Sequence, residues 1–124
     1  MEQLFTDKRI AFVGRPTALV AKAIAAMEYA GALVQTAEHV KAAPALLMCH
    51  DVDLLLIGND ALQEHGLAFV KEIAKLWPWL EMVVIGDRLH NRLKAELEWI
   101  GISHFLINPH EDNDIVQAVA CLLA

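Results

Sequence analysis

The chain has 124 residues, 56% of them hydrophobic, with a formal net charge of −6 at pH 7. That suffices for one domain that buries about two-thirds of the surface of its unfolded chain, and it is too apolar for disorder. No apolar run reaches the length of a membrane helix, Met1–Asp7 has no signal-peptide pattern, and an acidic balance without a Lys/Arg cluster argues against nucleic acid.

Arg9-Ile10-Ala11-Phe12-Val13-Gly14 reads as a first strand, an apolar run closed by a turn residue. Pro16 suits the first turn of the following helix, where its missing N–H costs nothing. Leu19, Val20, Ala23, Ile24 and Met27 recur at helical spacing, and Gly31 stands where that helix should stop. Residues 32–37 form a second, edge-like strand, less apolar than the others. A short helix beginning near Pro44 carries Leu46, Leu47 and Cys49 toward the core.

Leu54-Leu55-Leu56-Ile57, preceded by Val52 and Asp53, is continuous rather than alternating. Such a run marks a central parallel strand covered on both faces. Gly58-Asn59-Asp60 ends it with three turn-favouring residues. Leu67, Phe69, Val70, Ile73, Ala74 and Leu76 mark a third helix, stopped by Pro78. Residues 81–86 are a fourth strand, again closed by glycine. A fourth helix carries Leu89, Leu93, Leu97 and Ile100 on one stripe and ends at Gly101. Residues 103–107 are a fifth strand. A final helix, capped by Asp112 or Asn113, buries Ile115, Val119 and Leu122.

Five strands alternating with five helices predict an α/β protein with a parallel sheet and right-handed crossovers. No linker or repeat interrupts residues 1–124, so a single, cytoplasmic domain is expected. Cys49 and Cys121 lie far apart without a C-x-x-C spacing and are expected as two buried thiols. His39, His50, His65, His90, His104 and His110 show no i, i+4 pair and no H-E-x-x-H, so they read as surface or capping residues. No Ser-His-Asp or Cys-His arrangement is legible.

Two local signatures add a resemblance. Gly101-Ile102-Ser103-His104-Phe105-Leu106-Ile107-Asn108-Pro109 is similar to a Gly-Ala-x-x-Tyr-Leu-x-Lys-Pro segment, and Asp53-Leu54-Leu55-Leu56-Ile57-Gly58 to an Asp-Leu-(apolar)₃-Asp strand. Both belong to the receiver domain of bacterial two-component response regulators, which the chain resembles over essentially its whole length. The resemblance implies a flavodoxin-like (CheY-like) sheet of order 2-1-3-4-5. In that family the Asp ending the third strand accepts a phosphoryl group from a histidine kinase. Two acids after the first strand hold Mg²⁺, a Thr or Ser ends the fourth strand, and a Lys ends the fifth.

Carried over residue by residue, that chemistry is lost. The acceptor position holds Gly58, the acidic pair is replaced by Gly14 and Arg15, the hydroxyl position holds Gly86, and the Lys position holds Asn108. Pro109 and the aromatic Phe105 match, and both shape the fold. The chain thus resembles a degenerate receiver, or pseudo-receiver, for which no catalysis, metal or cofactor is expected. Asp60 and Asp87 are acids near the same rim. The simpler reading pairs one of them with Arg15 in a partly solvated ion pair; the sharper one makes an alternative acceptor or a remade anion site. Gly14-Arg15-Pro16-Thr17 opens a helix after a strand but lacks the G-x-G-x-x-G spacing of a dinucleotide-binding turn.

Trp99 lies off the apolar stripe of the fourth helix. In receivers the surface of helix four, strand five and helix five is the usual partner face. Leu89, Arg92, Glu96, Trp99 and Phe105 are the candidate interface here, with Trp99 as its hot spot or, alternatively, folded back toward Trp77 and Trp79. The expected function is therefore a phosphorylation-independent receiver-like domain of a bacterial signalling protein, working through protein partners or a homodimer, with no nucleic acid and no membrane. The alternative is a small-ligand or anion (nucleotide or phosphate) binding domain with its ligand over Gly14, Gly58 and Gly86; an unrelated enzyme on this fold ranks below both.

Overall fold

Leu54–Gly58 is buried at every residue, because helices cover the sheet on both faces. The computed structural model describes residues 5–62 and 66–123; His65 lies outside them, as do residues 1–4 of the stretch read for a signal peptide. Five parallel strands form one sheet in the order β2-β1-β3-β4-β5. They are β1 (Arg9–Val13), β2 (Leu33–Ala37), β3 (Leu54–Gly58), β4 (Glu81–Gly86) and β5 (His104–Ile107). The helices are α1 (Ala18–Tyr29), α2 (Ala43–Cys49), α3 (Gly66–Leu76), α4 (Asn91–Ile100) and α5 (Asp112–Leu123), with short 3-10 turns at Val40–Ala42 and Asn59–Leu62. This is the flavodoxin-like, CheY-like arrangement.

The period-two alternation of a strand splits the core into two layers. Ala11, Val13, Leu55, Ile57, Met82 and Val84 point toward α2, α3 and α4, where they meet Leu47, Val70, Ile73 and Leu97. Ile10, Phe12, Leu54, Leu56, Val83 and Ile85 point the other way, against Val20, Ala23 and Met27 of α1 and Ile115 and Val119 of α5. Each fully buried leucine or isoleucine contributes about 1.5–3 kcal/mol relative to exposure.

The helix ends carry local reasons. Thr17 caps α1, its Oγ1 accepting the Val20 N–H at 3.2 Å. Pro16 therefore precedes the cap instead of occupying the first turn. Gly101 ends α4 in the left-handed region (φ 116°), as a C-terminal glycine stop does. The start of α5 departs from expectation. Asp114, inside the first turn, accepts the N–H groups of His110 and Glu111, each at 3.0 Å. That is the backward half of a capping box, so neither Asp112 nor Asn113 is needed as the cap.

Both cysteines are exposed, which corrects the expected burial. Cys49 ends α2 two residues past the buried Leu47, and Cys121 lies two past the buried Val119 of α5; a step of two residues crosses a helix to its outer side. Among the described residues no helix is long and apolar enough to cross a membrane.

Candidate functional site

In an open parallel sheet, ligands and chemistry collect beyond the carboxyl ends of the strands, where strand order reverses. Here the reversal lies between β1 and β3. Strand register aligns Val13 with Ile57, Gly58 with Ile85, and Gly86 with Ile107, so the candidate positions meet at one rim. Asn108, at φ 50°, continues the ladder by donating its N–H to the Gly86 carbonyl at 2.7 Å.

The 3-10 turn after β3 folds back over these strand ends. A Cβ at Gly58 would stand 2.7 Å from Asp60 Oδ1, and one at Gly14 would stand 2.9 Å from the same oxygen and 3.3 Å from Gly58 Cα. A Cβ at Gly86 would stand 2.6 Å from the Cβ of Asn59. Asp60 thus fills the space above the first and third strands, and Asn59 fills it above the fourth. The glycines are what admit those side chains. Gly14 is doubly constrained, since its φ of 134° is one that L side chains rarely adopt.

Both returning side chains are anchored. Asp60 Oδ2 accepts the backbone N–H of Arg15 at 2.9 Å, and Asn59 Nδ2 donates to the Arg88 carbonyl at 3.0 Å. Two adjacent residues therefore tie the β1–α1 loop and the β4–α4 loop to the end of β3. The expected ion pair of Arg15 with Asp60 or Asp87 is not formed. The Asp60 carboxylate engages the Arg15 main chain, and among the described residues the side-chain contact of this kind is His104 Nε2 with Glu81, 3.5 Å apart on neighbouring strands.

Above the plug lies a cleft of about 460 Å³. Six of the candidate residues line it, namely Arg15, Gly58, Asp60, Gly86, Asp87 and Pro109. Gly14 and Asn108 do not line it. Arg88 and Asn59 also line it, and sequence reasoning gave neither a role in the site. The one signal for Asn59 was its place in a turn-forming Gly-Asn-Asp run, which says nothing about where the side chain returns.

Mg²⁺, which the receiver resemblance implies, finds no fit. It needs near-octahedral oxygen ligands that include carboxylates. The resemblance implies two acids where this chain has Gly14 and Arg15, and Asp60 is already hydrogen-bonded to the main chain. Among the described residues no group of three or more His, Cys, Asp or Glu side chains is placed to hold a metal ion.

The second candidate region divides by exposure. Trp99 is 92% exposed on α4 and does not fold back toward Trp77 or Trp79; Trp79 is itself 73% exposed. Arg92 and Glu96 are exposed beside it on the same helix. Leu89 and Phe105 are half-buried against the core, with Lys94 Nζ 5.5 Å from the Phe105 ring centroid in a cation–π contact.

No protein-family model and no curated protein matches the chain. Among solved structures it is similar to a CheY-like response regulator receiver domain protein from Methanospirillum hungatei, at 18% identity over 90% of each chain and a TM-score of 0.79. It is similar to the CheX–CheY–BeF3–Mg²⁺ complex from Borrelia burgdorferi at 13% identity over 100% of this chain and 99% of the other, TM-score 0.82. An orphan response regulator of H. pylori matches at 14% identity over 95% of this chain and 98% of the other, TM-score 0.81. The chain has the fold of response-regulator receiver domains over nearly its whole length.

Proposed function

We propose that the protein is a receiver-like signalling domain that works without phosphorylation, through contact with protein partners. The observation that carries this reading is the plugged rim. A receiver's switch needs a nucleophilic carboxylate at the end of β3, a cation beside it and a hydroxyl at the end of β4. This chain has Gly58, Arg15 and Gly86 there, and fills the space with Asp60 and Asn59. Gly86 also lacks the hydroxyl whose movement would pull a strand-five aromatic inward, so Phe105 has no lever to follow. Any switching must then come from a partner that binds two conformations unequally.

The partner surface proposed is the face of α4, β5 and α5. Trp99 supplies a large, fully presented side chain of the kind that dominates interface energetics, and Arg92 and Glu96 supply charges that set partner choice. A homodimer through this face is part of the proposal, as is a cytoplasmic site of action.

The test is incubation with acetyl phosphate and Mg²⁺, followed by intact mass measurement, beside a light-scattering measurement of molar mass across concentration. The reading predicts no added phosphoryl mass, and a concentration-dependent rise in molar mass that Trp99→Ala abolishes. A stoichiometric phosphoryl adduct would overturn the phosphorylation-independent part. A molar mass constant at the monomer value would overturn the homodimer.

A further inference from the structure

The rim cleft has a composition that protein contact does not account for. Its apolar lining comes from Phe12, Leu19, Val20 and Ile85. Its walls bring Arg15 from the β1–α1 loop and Arg88 from the β4–α4 loop. Both arginines are exposed, and among the described residues neither guanidinium is in an ion pair. Their main chains are nonetheless fixed, Arg15 through Asp60 and Arg88 through Asn59. Two cations unpaired among the described residues, on anchored backbones beside an apolar lining, suit an amphipathic anion. The volume of about 460 Å³ lies within the range of about 300–1,000 Å³ usual for small-molecule sites.

We propose that this cleft binds a small organic anion with an apolar body, its charged head held by Arg15 and Arg88 and its body over Phe12, Leu19, Val20 and Ile85. The head is a single phosphate or carboxylate. Asp60 and Asp87 also line the cleft, so its formal charge is balanced and it has no surplus of positive charge to hold a polyphosphate. Such a ligand would bridge the two loops that the Asn59–Asp60 turn already ties together, and it needs no metal.

The proposal is independent of the phosphorylation-free reading, and one titration separates them. Phenyl phosphate, without Mg²⁺, is titrated into ¹⁵N-labelled protein and compared with inorganic phosphate, in the unaltered protein and in a chain carrying both Arg15→Gln and Arg88→Gln. The expected result is saturable amide shifts centred on Arg15, Thr17, Gly86 and Arg88, with phenyl phosphate about tenfold tighter than inorganic phosphate and the double variant weakened by at least about tenfold. Both arginines are exposed, so the variant keeps its fold, and its own spectrum verifies that. Absent shifts, shifts centred on Trp99, equal affinity for the two anions, or affinity unchanged in the double variant would each overturn the proposal.

Discussion

Whether Asp60 really stands in for the missing side chain of Gly58 can be weighed by a double-mutant cycle. Gly58 is a buried strand residue with no unusual φ, so alanine there gains about 0.5–1 kcal/mol from the lower entropy of the unfolded chain. The new Cβ would lie 3.4 Å from Phe12 Cζ and 3.5 Å from the Val13 carbonyl, close but tolerable. Its one hard clash is at 2.7 Å with Asp60 Oδ1, the far end of a flexible side chain. Alanine therefore displaces the Asp60 carboxylate and breaks its hydrogen bond from the Arg15 N–H, at a cost of about 0.5–1.5 kcal/mol. The two effects nearly cancel, so Gly58→Ala alone should shift stability by less than about 1 kcal/mol. Asp60→Ala alone should cost about 0.5–1.5 kcal/mol. In the Asp60→Ala background the clash is gone, and Gly58→Ala should stabilise by about 0.5–1 kcal/mol. The coupling of about 1 kcal/mol is measured by urea unfolding of the four chains. Effects that add to within about 0.3 kcal/mol would refute the plug, because the two residues would then not share a space.

Three further substitutions test other parts of the account. Gly14→Ala should cost about 1–3 kcal/mol by thermal or urea unfolding, since it combines φ 134° with a backbone neighbour at 3.3 Å that cannot move aside. Asp114→Ala should cost about 1 kcal/mol by freeing the His110 and Glu111 N–H groups at the start of α5, whereas Asn113→Ala should cost almost nothing. Trp99→Ala, compared with the parent at a protein concentration where both are monomeric, should leave stability within about 0.5 kcal/mol, and a larger loss there would mean the indole packs against its own domain.

The fold was legible because its central elements obey simple rules. Runs such as Leu54–Ile57 can be satisfied only between two helical layers, and Gly31 and Gly101 stand where α1 and α4 stop. Resemblance and topology together placed Gly14, Gly58, Gly86 and Asn108 on one rim, and strand register brings them there. Legibility failed where a side chain turns back on the chain. Spacing cannot tell that Asp60 and Asn59 reach over glycines, or that Asp114 reaches back to His110, because those contacts depend on loop conformation and not on period. It failed too at Cys49 and Cys121, whose apolar character matched the core while their helical phase pointed outward. Phe5 was missed for a similar reason. It lies outside any strand or helix, yet it is fully buried and its N–H donates to the Ala30 carbonyl at 3.0 Å.

Whether the strand-end site can take up a phosphoryl group in the manner of a receiver is decided by a two-dimensional amide NMR titration with Mg²⁺ and beryllofluoride together, against beryllofluoride alone. Adding Mg²⁺ should produce no saturable, Mg²⁺-dependent shifts at Arg15, Gly58, Asp60 or Asp87, and none propagated to Phe105 or α4. A saturable Mg²⁺-dependent response centred on Asp60, with shifts extending to Phe105, would contradict it and make Asp60 a working acceptor.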